Sequence, residues 1–168
     1  MLVVPFDVWY FSQHRRVLAA CLALAGNAEV AREATDEAFA RALERWGRVS
    51  AMASPGGWVH VVALNEARRL LRRGHVERHV ERRMTTRVTA PTTDTPLPNP
   101  ELWMAVRALP VRQQTAVVLR YVGDLSEQEI ACAMRVSRGT VASTLHDARS
   151  RLRVVLPDDL DERESAHD

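Results

Sequence analysis

Lysine is absent from this chain of 168 residues, whose 23 basic positions are all arginine. An all-arginine set follows codon usage in a GC-rich genome as readily as chemistry, so it carries no functional weight. The net charge of +2 is also too small to argue for a polyanionic partner. Glycine is sparse, at seven, and aromatic residues make up only 5%. No run alternates apolar and polar positions between turn signals, which leaves strands without support. Cys21 and Cys132 have no partner at a metal-ligand or disulfide spacing, so both are expected to be reduced thiols inside the core. No apolar run approaches the ~20 residues of a membrane helix. The opening MLVVPFDVWYF has no basic leader and is interrupted by Pro5 and Asp7. The expectation is a cytoplasmic protein without membrane insertion. No carboxylate pair, nucleophile and base, or phosphate-cradling glycine loop appears, so an enzyme is the least expected class and no cofactor is implied. His75 and His79 share a helix face but lack a third ligand, and no metal site is expected.

What remains reads as all-α. Phe6, Trp9, Tyr10, Val17, Leu18, Cys21 and Leu22 fit one helical face. Val30, Ala34, Ala38, Phe39, Ala42, Leu43 and Trp46 fit a second, and Trp58, Val61, Val62, Leu64, Ala67, Leu70 and Leu71 a third. Gly26-Asn27 is expected to end the first helix and Gly47 the second, while Ser54-Pro55 supplies an N-cap and a first-turn proline for the third. Between Arg68 and Arg87 lie eight arginines and two histidines against Glu77 and Glu81 alone. That local excess is either a phosphate-binding surface or a solvated helix face, and the stretch itself does not decide.

Residues Val88 to Pro100 contain four prolines and no apolar periodicity, so they are expected to form a flexible linker. Extended, they reach roughly 40 Å, enough to hold two small domains apart on one partner. Beyond them, Leu102 to Leu109 and Gln113 to Tyr121 lead into LSEQEIACAMRVSRGTVASTLHDARSRL, which spells a helix-turn-helix. Ser126 and Glu129 have the spacing of a reciprocal capping box, with Ile130, Ala131 and Met134 as an apolar face. Ser137 is a second N-cap candidate. Val141, Leu145, Ala148 and Leu152 recur on one side of the helix that follows. Gly139, Ser143, His146 and Asp147 project to the other side, flanked by Arg138, Thr140 and Ala142. A second helix of this kind enters the DNA major groove with its N-terminal part. The alternative is an ordinary helical hairpin, since S-x-x-E before apolar residues is common.

Taken together, the two halves resemble regions 2 and 4 of the sigma-70 family, in the extracytoplasmic function (ECF) group that keeps only those regions. The segment AREATDEAFARALERW (31–46) is similar to one region 2 motif and PGGWVHVVALNEARRLLRR (55–73) to the next. The segment 108–153 resembles region 4 nearly throughout. The resemblance implies an alternative sigma factor that binds core RNA polymerase and promoter DNA, with an anti-sigma factor as a further candidate partner. Its expected division is region 2 at 1–87, linker at 88–100, region 4 at 101–156 and an acidic tail at 157–168. It assigns core-polymerase binding to Asp36, Glu37, Phe39, Arg41 and Trp46. Promoter −10 contacts fall to Trp58, His60, Asn65, Arg68, Arg69, Arg72 and Arg73. Duplex −35 contacts fall to Arg138, Gly139, Thr140, Ala142, Ser143, His146, Asp147 and Arg149.

The chain departs from the family where basic residues are usual, at Ala142, Thr144 and Asp147, and often at Val61 and Leu64. Arg32 and Ala34 stand where the family has an acid and a leucine. A carboxylate near the groove accepts from cytosine N4 but repels phosphate. Two further readings therefore stay open. One is a sigma-like protein with weakened promoter reading that acts by binding polymerase or a regulator; the other is a plain helix-turn-helix regulator, which leaves the first 100 residues without a role.

Overall fold

The chain reverses after its first helix because Gly26 adopts a left-handed conformation, φ 63°, and donates its N–H to the Leu22 carbonyl. Glycine holds that conformation without a Cβ penalty. Asn27 starts the next helix by accepting from the Val30 N–H. The short turn folds α2 (Ala28–Glu44) back against α1 (Phe6–Ala25). Gly47, expected to end the second helix, lies instead within the short α3 (Trp46–Val49), and α2 stops at Arg45. The Arg45 N–H bonds the Ala42 and Leu43 carbonyls, and helix resumes at Trp46, whose ring packs 4.8 Å from Trp9. Ser54 accepts from the Gly57 N–H and Pro55 opens α4 (Pro55–Met84), as the Ser-Pro pair predicts.

The computed structural model describes residues 4–84 and 99–155, so all but the last two residues of the expected linker at 88–100, and the acidic tail at 157–168, lie outside the described residues. Pro100, expected to close the linker, belongs to the first turn of α5 (Pro100–Ala108), where a missing N–H costs no helical bond. α6 (Val111–Tyr121), α7 (Glu127–Met134) and α8 (Arg138–Val155) complete the C-terminal unit. Every regular element among the described residues is helical, and none of these helices is long and apolar enough to cross a membrane.

Alanines let the N-terminal helices approach closely: Ala20 of α1, Ala31, Ala34, Ala38 and Ala42 of α2, and Ala63 and Ala67 of α4 are all fully buried. Phe6, Trp9, Tyr10, Phe39 and Trp46 close one end of that bundle as an aromatic cluster, with Tyr10 and Phe39 4.8 Å apart. Cys21 is buried as expected, and burial pushes its thiol up to about 11. Cys132 is not in the core; it faces outward on α7, near the Gln128 amide. Ile130 and Ala131 fill the inward side of that helix, and the residue after them is rotated away from it.

The two groups of helices share one continuous hydrophobic cluster. The linker is long enough to hold them apart, yet α4 lies against α6 and α7, and α1 against α5 and α6. The cause is a second covered stripe on α4. Besides the face it gives to α1 and α2, it carries Gly57, His60, Leu64 and Arg68 at intervals of three and four residues, the spacing of one helix side. His60 and Leu64 are completely buried.

Candidate polymerase and DNA interface

The helix-turn-helix is built from local hydrogen bonds. Ser126 accepts from the Glu129 N–H while the Glu129 carboxylate accepts from the Ser126 N–H, closing the capping box. Arg135 turns the chain in a left-handed conformation, φ 55°, and donates its N–H back to the Ala131 and Cys132 carbonyls. Ser137 then accepts from the Thr140 N–H at 3.0 Å, as an N-cap. Val141, Leu145, Ala148 and Leu152 of α8 are all buried. Arg138, Gly139, Thr140, Ser143, His146 and Asp147 are exposed, while Ala142 and Arg149 are half-buried. The outer face of α8 is therefore bare from its first residue. Its polar atoms are partly committed: the Thr140 carbonyl accepts from both the Ser143 and Thr144 hydroxyls, and Arg138 pairs with Glu127 of α7 at 3.2 Å. Asp147 has no ion pair among the described residues.

α2 presents Glu29, Glu33, Asp36 and Glu37 along a shallow groove of about 660 Å³ that also takes in Arg32, Ala40, Glu66 and Arg69. Asp36 is exposed and Glu37 half-buried. Arg41 lies between Glu37, at 2.7 Å, and Glu66, at 3.3 Å. Phe39 does not join this surface. It is 3% exposed, packed among Trp9, Tyr10 and His14, because the aromatic cluster needs its ring to close the bundle. Trp46 is half-buried in the same cluster.

The α4 residues divide sharply. Asn65, Arg69, Arg72 and Arg73 are exposed and Trp58 is half-buried. Arg69 is bound to the Glu66 carboxylate, so its charge is already partnered. His60 is buried, donates or accepts through Nδ1 at the Gly56 carbonyl, 2.8 Å away, and has no partner for Nε2 among the described residues. Burial holds its pKa below the usual imidazole value. Arg68 turns toward α6, donating to Gln114 Oε1 at 2.9 Å and Thr115 Oγ1 at 2.8 Å. Burial, with Arg72 beside it, lowers its pKa as well. His60 is thus enclosed, and the half-buried Arg68 is engaged by α6.

Sequence reasoning passed over Glu66, a carboxylate 4% exposed that holds α2 and α4 together through Arg41 and Arg69. Hydrogen bonds from Arg69 are the main cause of its lowered pKa. Its signal was present: it is the sole acid between Ser54 and Gly74, three residues before an arginine. Gln114, Thr115, Arg107 and Asp124 were also passed over, since their partners lie far away in sequence.

A helix-turn-helix with a bare second helix, joined to a bundle with an acidic outer helix, defines a two-part helical DNA-binding protein. Comparison with known proteins narrows this. The family model of sigma-70 region 2 matches residues 10–76 and that of sigma-70 region 4 matches residues 100–152. The RNA polymerase sigma-E factor of Streptomyces antibioticus is 30% identical over 134 residues, covering 79% of this chain and 74% of that protein. That of Streptomyces coelicolor is 26% identical over 162 residues, covering 96% and 92%. An ECF RNA polymerase sigma factor, SigE, of Mycolicibacterium smegmatis is 32% identical over 153 residues, covering 82% of this chain and 56% of that protein. The fold matches that of the sigma factor RpoE, solved with the anti-sigma factor NepR from Bartonella quintana, at a TM-score of 0.69 and 18% identity, over 92% of this chain and 98% of that one. The chain belongs to the sigma-70 family, in its ECF group of alternative sigma factors, which serve transcription initiation with core RNA polymerase and promoter DNA as partners.

Proposed function

We propose that the protein acts in the cytoplasm as a binding factor without chemistry of its own, and that its three surfaces divide the work. Residues 1–87 form the polymerase-docking and −10 unit, 88–100 a linker, and 101–156 the −35 unit. Asp36 and Glu37, with Arg41, meet basic groups on polymerase; Phe39 and Trp46 support that surface from behind. Asn65 hydrogen-bonds a base edge of the −10 element, while Arg72 and Arg73 neutralise phosphates and Trp58 offers a ring for an unpaired base. Arg138 and Arg149 hold the −35 backbone on either side of Gly139, Thr140, Ala142, Ser143, His146 and Asp147.

The observation that carries this reading is the bare outer face of α8 standing in a chain that matches region 2 and region 4 in that order. Its test is run-off transcription with purified core polymerase over a promoter library. Enrichment of a paired −35 and −10 sequence is expected, and absence of any enriched pair overturns it. One observation favours a second reading. Asp147 is exposed beside Ser143 and Thr144, whose hydroxyls are turned to their own helix, so −35 affinity is low or unusually selective. Polymerase binding without promoter-dependent initiation would identify a titrating protein instead. The related RpoE was solved with an anti-sigma factor, and an inhibitor of that class is proposed as a third partner here.

A further inference from the structure

We propose that the distal part of α4, residues 75–84, is a further DNA-binding site, which grips the phosphate backbone of the duplex between the −10 and −35 elements without reading its sequence. The inference extends the proposed −10 role of α4 and rests on it. The region 2 match ends at residue 76, whereas α4 runs on as helix to Met84. Along that helix the basic residues fall in register. Asn65, Arg72 and His79 recur every seven residues, and Arg68, His75 and Arg82 form the row beside them. A straight helix drifts by only about 20° per seven residues, so each row keeps to one side. Arg83, four residues after His79, rejoins the first row, while Glu77 and Glu81 fall on the far side. The row that begins at the exposed Asn65 therefore continues past the exposed Arg72 into the extension.

Charge spacing separates a binding face from a merely solvated one. A helix that stabilises itself in water sets opposite charges three or four residues apart, acid before base. Between residues 68 and 84 like charges take the four-residue spacing instead: Arg68 and Arg72, Arg69 and Arg73, Arg78 and Arg82, Glu77 and Glu81. Opposite charges meet there only as Arg73 with Glu77 and Arg78 with Glu81, both in the weaker order, arginine first. The stretch repels itself, and Arg72 adds to burial in lowering the Arg68 pKa. Phosphates laid along the rows relieve that repulsion. Placement follows from chain direction. α4 leads into the unit that takes the −35 element, so its C-terminal end points from the −10 element toward the −35 element, where the DNA is paired. From Asn65 to Arg83 the helix covers roughly 27 Å, the length of about eight base pairs. Arginine on phosphate carries no base information, so the site adds affinity rather than choice.

The test measures holoenzyme binding to forked probes that carry the unpaired −10 element enriched by the promoter library, no −35 element, and an upstream duplex arm of random sequence. The arm grows from none to about twelve base pairs. Wild-type affinity is expected to rise until the arm reaches about eight base pairs and then to level off. Arg82→Gln with Arg83→Gln should lose that rise, about fivefold in affinity, and flatten the salt slope on the long arm by roughly 1.5, while binding the armless probe as wild type does. Arg82→Lys with Arg83→Lys keeps the charge and should restore the rise; glutamine and lysine are both good helix formers, and circular dichroism checks that helicity is kept. A photocrosslinker on Arg82→Cys, in a Cys132→Ser background, needs no loss of binding and should mark the arm within about eight base pairs of the −10 element. No rise in wild type, a rise that survives in the glutamine variant, an equal loss on the armless probe, a lysine variant as weak as the glutamine one, or crosslinks that miss the arm overturns the site. If wild-type holoenzyme binds no −10 probe at all, the −10 role of α4 fails instead.

Discussion

The two helices assigned to DNA differ in what lies over them. α8 hides four apolar residues at i, i+4, i+7 and i+11, half-buries Ala142, Thr144 and Arg149 at the flanks and exposes Gly139, Thr140, Ser143, His146 and Asp147, so one buried stripe and one polar face suffice to describe it. α4 is covered on two sides. One face meets α1 and α2, and the stripe through Gly57, His60, Leu64 and Arg68 meets α6 and α7. A helix that packs once can be read as core and surface; one that packs twice hides part of its working surface among polar residues. The difference also separates their arginines. Arg138 reaches a neighbouring carboxylate at the surface, whereas Arg68 is drawn inward and Arg69 is held by Glu66.

That contrast breaks first at Arg72 and Arg73, two exposed arginines of α4. Arg72→Glu with Arg73→Glu is expected to lower open-complex formation by about one to two orders of magnitude and to flatten its salt dependence by roughly 1.5 in logarithmic slope. Permanganate footprinting across a salt series measures both, and an unchanged slope would falsify the assignment. Acid sharpens the contrast next. His60 bonds the Gly56 carbonyl and meets Gly123, within the electrostatic reach of Arg16 of α1 and Glu129 of α7, and its pKa is lowered chiefly by burial. The packing of α6 and α7 on α4 is then fully favoured above the ordinary imidazole value of about 6.5 and loses ground as pH falls toward the lowered one. Inter-unit dye separation should rise over that range at constant helicity, and His60→Gln should remove the dependence; persistence in the variant assigns the effect to another group. The smallest effect belongs to α8. Asp147→Arg is expected to tighten binding to random duplex severalfold and steepen its salt slope by about 1, without altering the separation of the units. Gel shifts that show no change at all take Asp147 out of the groove.

What could be read from the sequence was what neighbours within four residues determine. The capping box at Ser126, the caps at Ser137, Asn27 and Ser54, and the buried quartet of α8 all follow from i, i+3 and i+4 relations. The turn at Gly47 did not, because a long-range contact, Trp46 on Trp9, draws the chain back into helix there. Phe39 matched a docking motif, yet its orientation depends on Trp9 and Tyr10 from another helix. Cys132 was placed inside by composition, although its angle on α7 carries it past the face defined by Ile130 and Ala131. His60 and Arg68 belong to the same class: their partners come from Gly123, Gln114 and Thr115, which no local spacing brings near.

α4 continues without a break for 30 residues, from the turn at Ser54 to Met84. At 1.5 Å per residue it is a rod of roughly 45 Å, whose contacts with other helices run from Gly57 to Arg68. Leverage follows from what extends beyond them: a tilt of about ten degrees at Arg69 sweeps the tip at Met84, roughly 23 Å further on, through about 4 Å.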